Sequence, residues 1–92
     1  HALRLVDAVV PAAALADHAH ALARAMGENP RSAIAETKRL LTLNAAETDI
    51  ELVMRREFQA LERCYASAEH REAVDAFLDK RAPDFAAARR RG

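Results

Sequence analysis

The stretch Ser67-Ala68-Glu69-His70-Arg71-Glu72-Ala73-Val74-Asp75-Ala76-Phe77-Leu78-Asp79-Lys80-Arg81-Ala82-Pro83-Asp84-Phe85 decides how the chain is read. A serine oxygen accepts hydrogen bonds from the free N–H groups of a first helical turn, so Ser67 is placed as a helix cap. Ala73, Val74, Phe77, Leu78 and Arg81 follow at helical spacing and are assigned to the inner face. Ala82-Pro83 stops the helix, because Pro83 has no N–H and turns its predecessor away from helical geometry. Phe85 then folds back as an apolar anchor. Residues 86–92 extend a short helix or fray, and are assigned as a flexible tail.

Three more helices precede this one. Leu15, Ala19, Leu22, Ala23 and Met26 form one apolar stripe over about Ala13 to Met26, with Gly27 as a stop. Asn29 is placed as the cap of the next helix and Pro30 as its first residue. That helix carries Ala33, Ile34, Thr37, Leu40 and Leu41 to near Asn44. Thr48-Asp49-Ile50-Glu51 matches a capping box, in which a hydroxyl and a carboxylate satisfy each other's backbone N–H groups. Ile50, Val53, Met54, Phe58 and Leu61 share one face of the third helix, which continues towards Cys64 or Tyr65. Upstream, Leu5-Val6-Asp7-Ala8-Val9-Val10-Pro11 reads as a short extended strand over 1–11. It has no second strand to pair with, which points to sequence lying before His1. The expected order is strand, about four helices and a tail, a mainly α chain.

Composition narrows the function. The chain has 92 residues and is 51% hydrophobic, but much of that is alanine, which favours helix and adds little apolar area. Lys+Arg and Asp+Glu both total 14, so no overall field favours nucleic acid. No apolar run is long enough to span a bilayer, and neither a nucleic acid nor a membrane is expected as a partner. Cys64 is the only cysteine, so no intrachain disulfide forms; this fits a reducing, cytoplasmic setting.

No catalytic constellation emerges. The two glycines, Gly27 and Gly92, cannot build a phosphate loop, and neither a cysteine cluster nor an HExxH pattern is present. His18 and His20 lie two apart and face different directions, so no metal site is assigned. Cys64 has no base at relay spacing and reads as a packing residue, and His70 as a surface residue. Glu57 and Glu62, five apart, read as helix-surface charges rather than an acid–base pair. Phe77 and Lys80 stand out because three-residue spacing places an aromatic ring and an ammonium on one ledge. A nucleotide-bearing ligand could meet the ring by apolar contact and the ammonium through phosphate.

The order of segments resembles the C-terminal end of the crotonase family of enoyl-CoA hydratases and isomerases. Leu5-Val6-Asp7-Ala8-Val9-Val10-Pro11 is similar to the family's GLV-D-x-V-V-P stretch, with Arg4 in the glycine position. Pro30-Arg31-Ser32-Ala33, Lys38 and Leu40-Leu41 resemble P-x-x-A…K-x-x-L. Ser67 to Phe85 resembles S-x-D-x-x-E-G-x-x-A-F-x-E-K-R-x-P-x-F, with Glu69 for the aspartate and Ala73 for the glycine. The likeness covers about residues 2–85.

The resemblance implies a crotonase-like α/β fold whose ββα-spiral core lies upstream and carries the oxyanion hole and acid/base glutamates. Residues 1–11 would then leave that core, and 12–85 would be the helical region that completes the pocket and the oligomer. No catalytic residue is expected in this chain. Lys80 matches a lysine that contacts coenzyme A phosphate in relatives, Phe77 matches an aromatic of the acyl or coenzyme A region, and Leu61 falls at another apolar pocket position. Arg81 is expected to be a structural or interface charge. The implied parent is a lyase or isomerase of fatty acid metabolism acting on acyl-CoA as a trimer or hexamer. Coenzyme A arrives with the thioester, and no tightly bound cofactor is expected. The alternative is a non-catalytic helical module for self-association or protein binding.

Overall fold

Alanine-rich segments broken at Gly27-Glu28-Asn29-Pro30, at 45–49, at Ala66-Ser67 and at 79–84 give the chain few places to leave a helix. The computed structural model describes residues 2–92 and contains a 3-10 turn, Ala12–Ala14, followed by five α-helices. They are α1 (Leu15–Gly27), α2 (Arg31–Asn44), α3 (Ile50–Tyr65), α4 (Ala68–Leu78) and α5 (Phe85–Arg91). The mainly helical class expected from the sequence is the one observed.

Several local expectations are corrected. There is no strand among the described residues: Ala2 to Asp7 make turns and bends, and Arg4 has φ 58°. An extended ladder cannot pass through a left-handed residue, and no second strand is present to impose one. His1 lies outside the described residues. Residues 86–92 are not a loose tail, since α5 runs to Arg91 and buries Ala88. The fifth helix forms because Asp84 accepts the Ala87 N–H at 2.8 Å and caps it. Asn29 closes the helix behind it rather than capping the one ahead: its Nδ2 donates to the carbonyls of Ala25 and Met26, and Pro30 itself is the α2 cap residue. Likewise Asp49, not Thr48, caps α3 by accepting the Glu51 and Leu52 N–H groups, while Glu47 accepts those of Thr48 and Asp49.

The Ser67 cap is as expected, and one hydroxyl serves two helices. Its Oγ accepts the His70 N–H at 3.1 Å and donates to the Cys64 carbonyl at 2.6 Å, turning α3 sharply into α4. His70, read as a surface residue, is half-buried at this corner, with its ring tilted against Tyr65 at a centroid distance of 4.8 Å.

Packing runs α2 on α3, α3 on α4 and α4 on α5. The buried apolar set is small and made of alanines: Ala60, Ala76 and Ala88. Expected inner faces are turned outwards. On α4, Val74, Phe77 and Leu78 are exposed while Glu69, Glu72 and Ala76 are buried; on α3, Ile50, Met54, Phe58 and Leu61 are exposed. Every residue of α1 is exposed. The accessible surface is 7690 Å², against about 5300 Å² for a compact monomer of this mass. The radius of gyration is 17.1 Å, where about 12 Å is usual for this length. The chain is a slab of helices with large apolar faces not covered by its own residues.

Candidate functional site

The region that holds its shape through side chains is built on α4, from two carboxylates one helical turn apart. α2 begins after Pro30, which has no side-chain acceptor to offer its first N–H groups. Glu69 supplies it from across the fold: its carboxylate accepts the N–H groups of Arg31 and Ser32, each at 3.0 Å, and the Ser32 hydroxyl at 2.6 Å. Arg89 of α5 donates to the same carboxylate at 2.5 Å. Glu69, only 4% exposed, therefore ties α2, α4 and α5 together. Burial opposes its ionisation, but the Ser32 hydroxyl and N–H, Arg89 and the Arg31 N–H outweigh it and hold the carboxyl at about 2.

Glu72 does the same work one turn on. It accepts both branches of the Arg81 guanidinium, at 2.6 and 3.4 Å, and the Asp84 N–H at 2.9 Å, with Arg91 3.5 Å away. The Arg81 hydrogen bonds, with the Asp84 N–H, hold its carboxyl at about 2. A third carboxylate, Glu36, links α2 to α3 through Arg63 at 2.6 and 3.0 Å and bonds Arg39 at 2.9 Å; Arg63 and then Arg39 hold it at about 2. Arg81 thus has the structural role expected of it. The buried part of Glu69 and Glu72 was missed in the sequence, where their three-residue spacing on the Ser67–Phe85 segment was the available signal.

Phe77 and Lys80 stand at the C-terminal end of α4. The helix closes with the Lys80 N–H on the Phe77 carbonyl at 3.3 Å and the Arg81 N–H on the Ala76 carbonyl at 3.0 Å. This is a Schellman closure, and its left-handed residue is Lys80 itself, with φ 54°. Glycine is usual there because a Cβ is unfavourable. Phe77 is 82% exposed. Among the described residues no ion pair or side-chain hydrogen bond engages Lys80, while the neighbouring Arg81 meets both Glu72 and Asp79.

Leu61 is elsewhere. It lines an open, mainly apolar groove of about 500 Å³ between α2 and α3, with Leu40, Met54, Phe58, Glu57 and Cys64 on its walls. Neither Phe77 nor Lys80 lines that groove. Phe77 and Lys80 are joined through a backbone hydrogen bond at the end of α4, whereas Leu61 lies on α3. His18 and His20 are exposed on α1, and no cluster of three metal-ligating side chains forms among the described residues. No helix among these residues is long and apolar enough to cross a membrane.

Phe77, Lys80, the capping Ser67 and the three clamping glutamates all fall within one family match. The family model described as enoyl-CoA hydratase/isomerase matches residues 2–88. The chain belongs to the enoyl-CoA hydratase/isomerase family. It is 38% identical over 88 residues to the 1,2-epoxyphenylacetyl-CoA isomerase of Escherichia coli (strain K12). That match covers 92% of this chain and 32% of the relative, so the chain spans about a third of the relative's length. No solved structure gives a significant match. Family membership agrees with the crotonase resemblance carried by Ser67 to Phe85.

Proposed function

We propose that this chain is the helical, non-catalytic part of an enoyl-CoA hydratase/isomerase subunit, and that it forms one edge of the acyl-CoA site. The observation that carries this reading is the end of α4: an exposed Phe77 and a Lys80 with no ion pair among the described residues, joined by a closed helix end. An ammonium free of protein partners suits a phosphate of coenzyme A, and an exposed ring suits an apolar part of the ligand. Leu61 would contribute an apolar wall only once other chain covers the α2–α3 groove.

The chemistry of the whole protein would be hydration or isomerisation of an acyl-CoA thioester. In the hydratase version, upstream carboxylates position water and move protons while backbone N–H groups stabilise the charge on the thioester oxygen. None of Glu51, Glu57, Glu62, Glu69 and Glu72 takes that role, and Glu69 and Glu72 are already committed to clamping helices. Coenzyme A enters as part of the substrate, and no resident cofactor is proposed. The uncovered faces of α1 and α3 suit burial against a spiral core and neighbouring subunits, in a trimer or hexamer. The setting proposed is the cytoplasm.

Lys80→Ala in the full-length protein tests the Lys80 contact. Binding of a coenzyme A ester should weaken about tenfold, as expected for loss of a charge-assisted hydrogen bond, while a pantetheine thioester, which lacks the nucleotide phosphates, should bind as before. Equal weakening of both ligands rejects the phosphate contact.

A further inference from the structure

Lys80 occupies a backbone conformation that its side chain disfavours, and the hydrogen bonds around it show what holds it there. Its φ of 54° is left-handed. A residue with a Cβ stays in that region only when the surroundings fix it. Two backbone hydrogen bonds close the helix on either side of it. The next residue, Arg81, forks onto Glu72, and its Nη1 also donates to the Ala82 carbonyl at 3.3 Å. Three residues further on, the Asp84 N–H returns to the same Glu72 oxygen. The segment that follows Lys80 is therefore fastened at both ends to one carboxylate, only 5% exposed, on the helix that precedes Lys80.

Charge is arranged to the same end. Asp79 is adjacent to Lys80, yet its carboxylate lies 3.6 Å from Arg81 Nε. Arg81 thus pairs with both Glu72 and Asp79, and among the described residues the Lys80 ammonium has no ion-pair partner. Were Arg81 to let go, Asp79 and Glu72 would become competing anions for that ammonium.

We infer that Glu72 is a positioning residue for Lys80: through Arg81 and the Asp84 N–H it fixes the left-handed turn, and it keeps the ammonium free for an anionic group of the ligand. The inference rests on the proposed contact between Lys80 and a coenzyme A phosphate. It adds that the contact depends on a carboxylate that never touches the ligand.

The experiment uses the full-length protein with free coenzyme A and pantetheine as probes, and reads the ratio of their dissociation constants. Glu72→Gln keeps an acceptor for the Asp84 N–H and removes the charge that holds Arg81. It should weaken coenzyme A about fivefold and leave pantetheine unchanged, within the range of coupling for groups in one network. In the Lys80→Ala background the same change should have no further effect on coenzyme A. In turnover of an acyl-CoA the loss should fall in KM, with kcat held. Arg81→Lys, which keeps the charge and loses the fork, is the second variant and should move the ratio in the same direction by a smaller factor. A merely structural Glu72 would weaken both probes alike, or weaken coenzyme A equally with and without Lys80; either result overturns the inference. The proposed phosphate contact fails separately, if Lys80→Ala alone leaves the ratio of the two probes unchanged.

Discussion

α1 and α4 are both short amphipathic helices, of 13 and 11 residues, but they relate to the rest of the chain in opposite ways. On α1 the apolar stripe of Leu15, Leu22 and Met26 is exposed and no residue is buried. On α4 the apolar residues Val74, Phe77 and Leu78 are equally exposed, yet Glu69, Glu72 and Ala76 are buried. Directional polar contacts complete themselves within these 92 residues, because their partners on α2, α5 and the 81–84 segment are all present. Apolar burial does not, because it needs area that this chain does not supply. Internal order among these helices therefore comes from carboxylate clamps, while the apolar stripes stay exposed.

Truncating one residue of each kind gives the largest contrast. Glu69→Ala removes the side chain that accepts the Arg31 and Ser32 N–H groups at the start of α2, and it takes away the Arg89 partner. It should destabilise the chain by about 3 kcal/mol, as when one side of a buried charged network is removed. Leu22→Ala, at the middle of the α1 stripe, should cost less than about 1 kcal/mol, because Leu22 is already 46% exposed and has little further area to lose. Urea unfolding of the 92-residue chain checks both. A larger loss from Leu22→Ala than from Glu69→Ala would invert the comparison.

Acid should dissolve the clamped region through the same carboxylates. Glu36, Glu69 and Glu72 are each lowered from 4.5 to about 2 in the folded chain. A depressed folded value means that the unfolded state binds more protons between these limits, so stability rises with pH there. The contribution of the clamps should be complete above the unfolded value, decline as pH falls below about 4.5, and be gone below about 2. Stability measured across this range should have a shallower acid slope in Glu69→Gln than in the unaltered chain. Parallel slopes would mean that its contacts do not lower the folded pKa of Glu69.

Helix number and caps were only partly legible in sequence, for a definable reason. Ser67 was readable because a local side chain meets a local N–H. Glu69 as the acceptor for α2 was not, because its partners lie 37 and 38 residues away. Apolar periodicity found the stripes of α1 and α3 correctly but assigned them to an interior that this chain does not possess. On α4 it chose the wrong side, since apolar periodicity takes no account of carboxylates that the fold buries by pairing them. The short strand failed at Arg4, whose left-handed backbone could be suspected only from the glycine at that position in the resembling pattern. Helical spacing could not show that Lys80 leaves the helix in a left-handed turn, because that depends on the closure after Leu78. Nor could it show the separation of Leu61 from Phe77 and Lys80, which depends on how α3 packs.

The smallest effect isolates backbone from charge at Lys80. Lysine in the left-handed region carries a steric cost that glycine avoids, so Lys80→Gly should stabilise the chain by about 1 kcal/mol. Lys80→Ala keeps a Cβ in the same place and should leave stability within about 0.5 kcal/mol of the unaltered chain. Both lose the ammonium, so both should lose any phosphate contact by the same factor. If ligand binding falls alike in the two variants while only the glycine variant gains stability, then the turn is strained for its own reasons and the charge alone meets the ligand. If Lys80→Gly binds coenzyme A more weakly than Lys80→Ala, the rigidity of the turn contributes as well. That second result would strengthen the link between the clamped carboxylates of α4 and the turn they support, and would sharpen the contrast with α1, which has no such clamp.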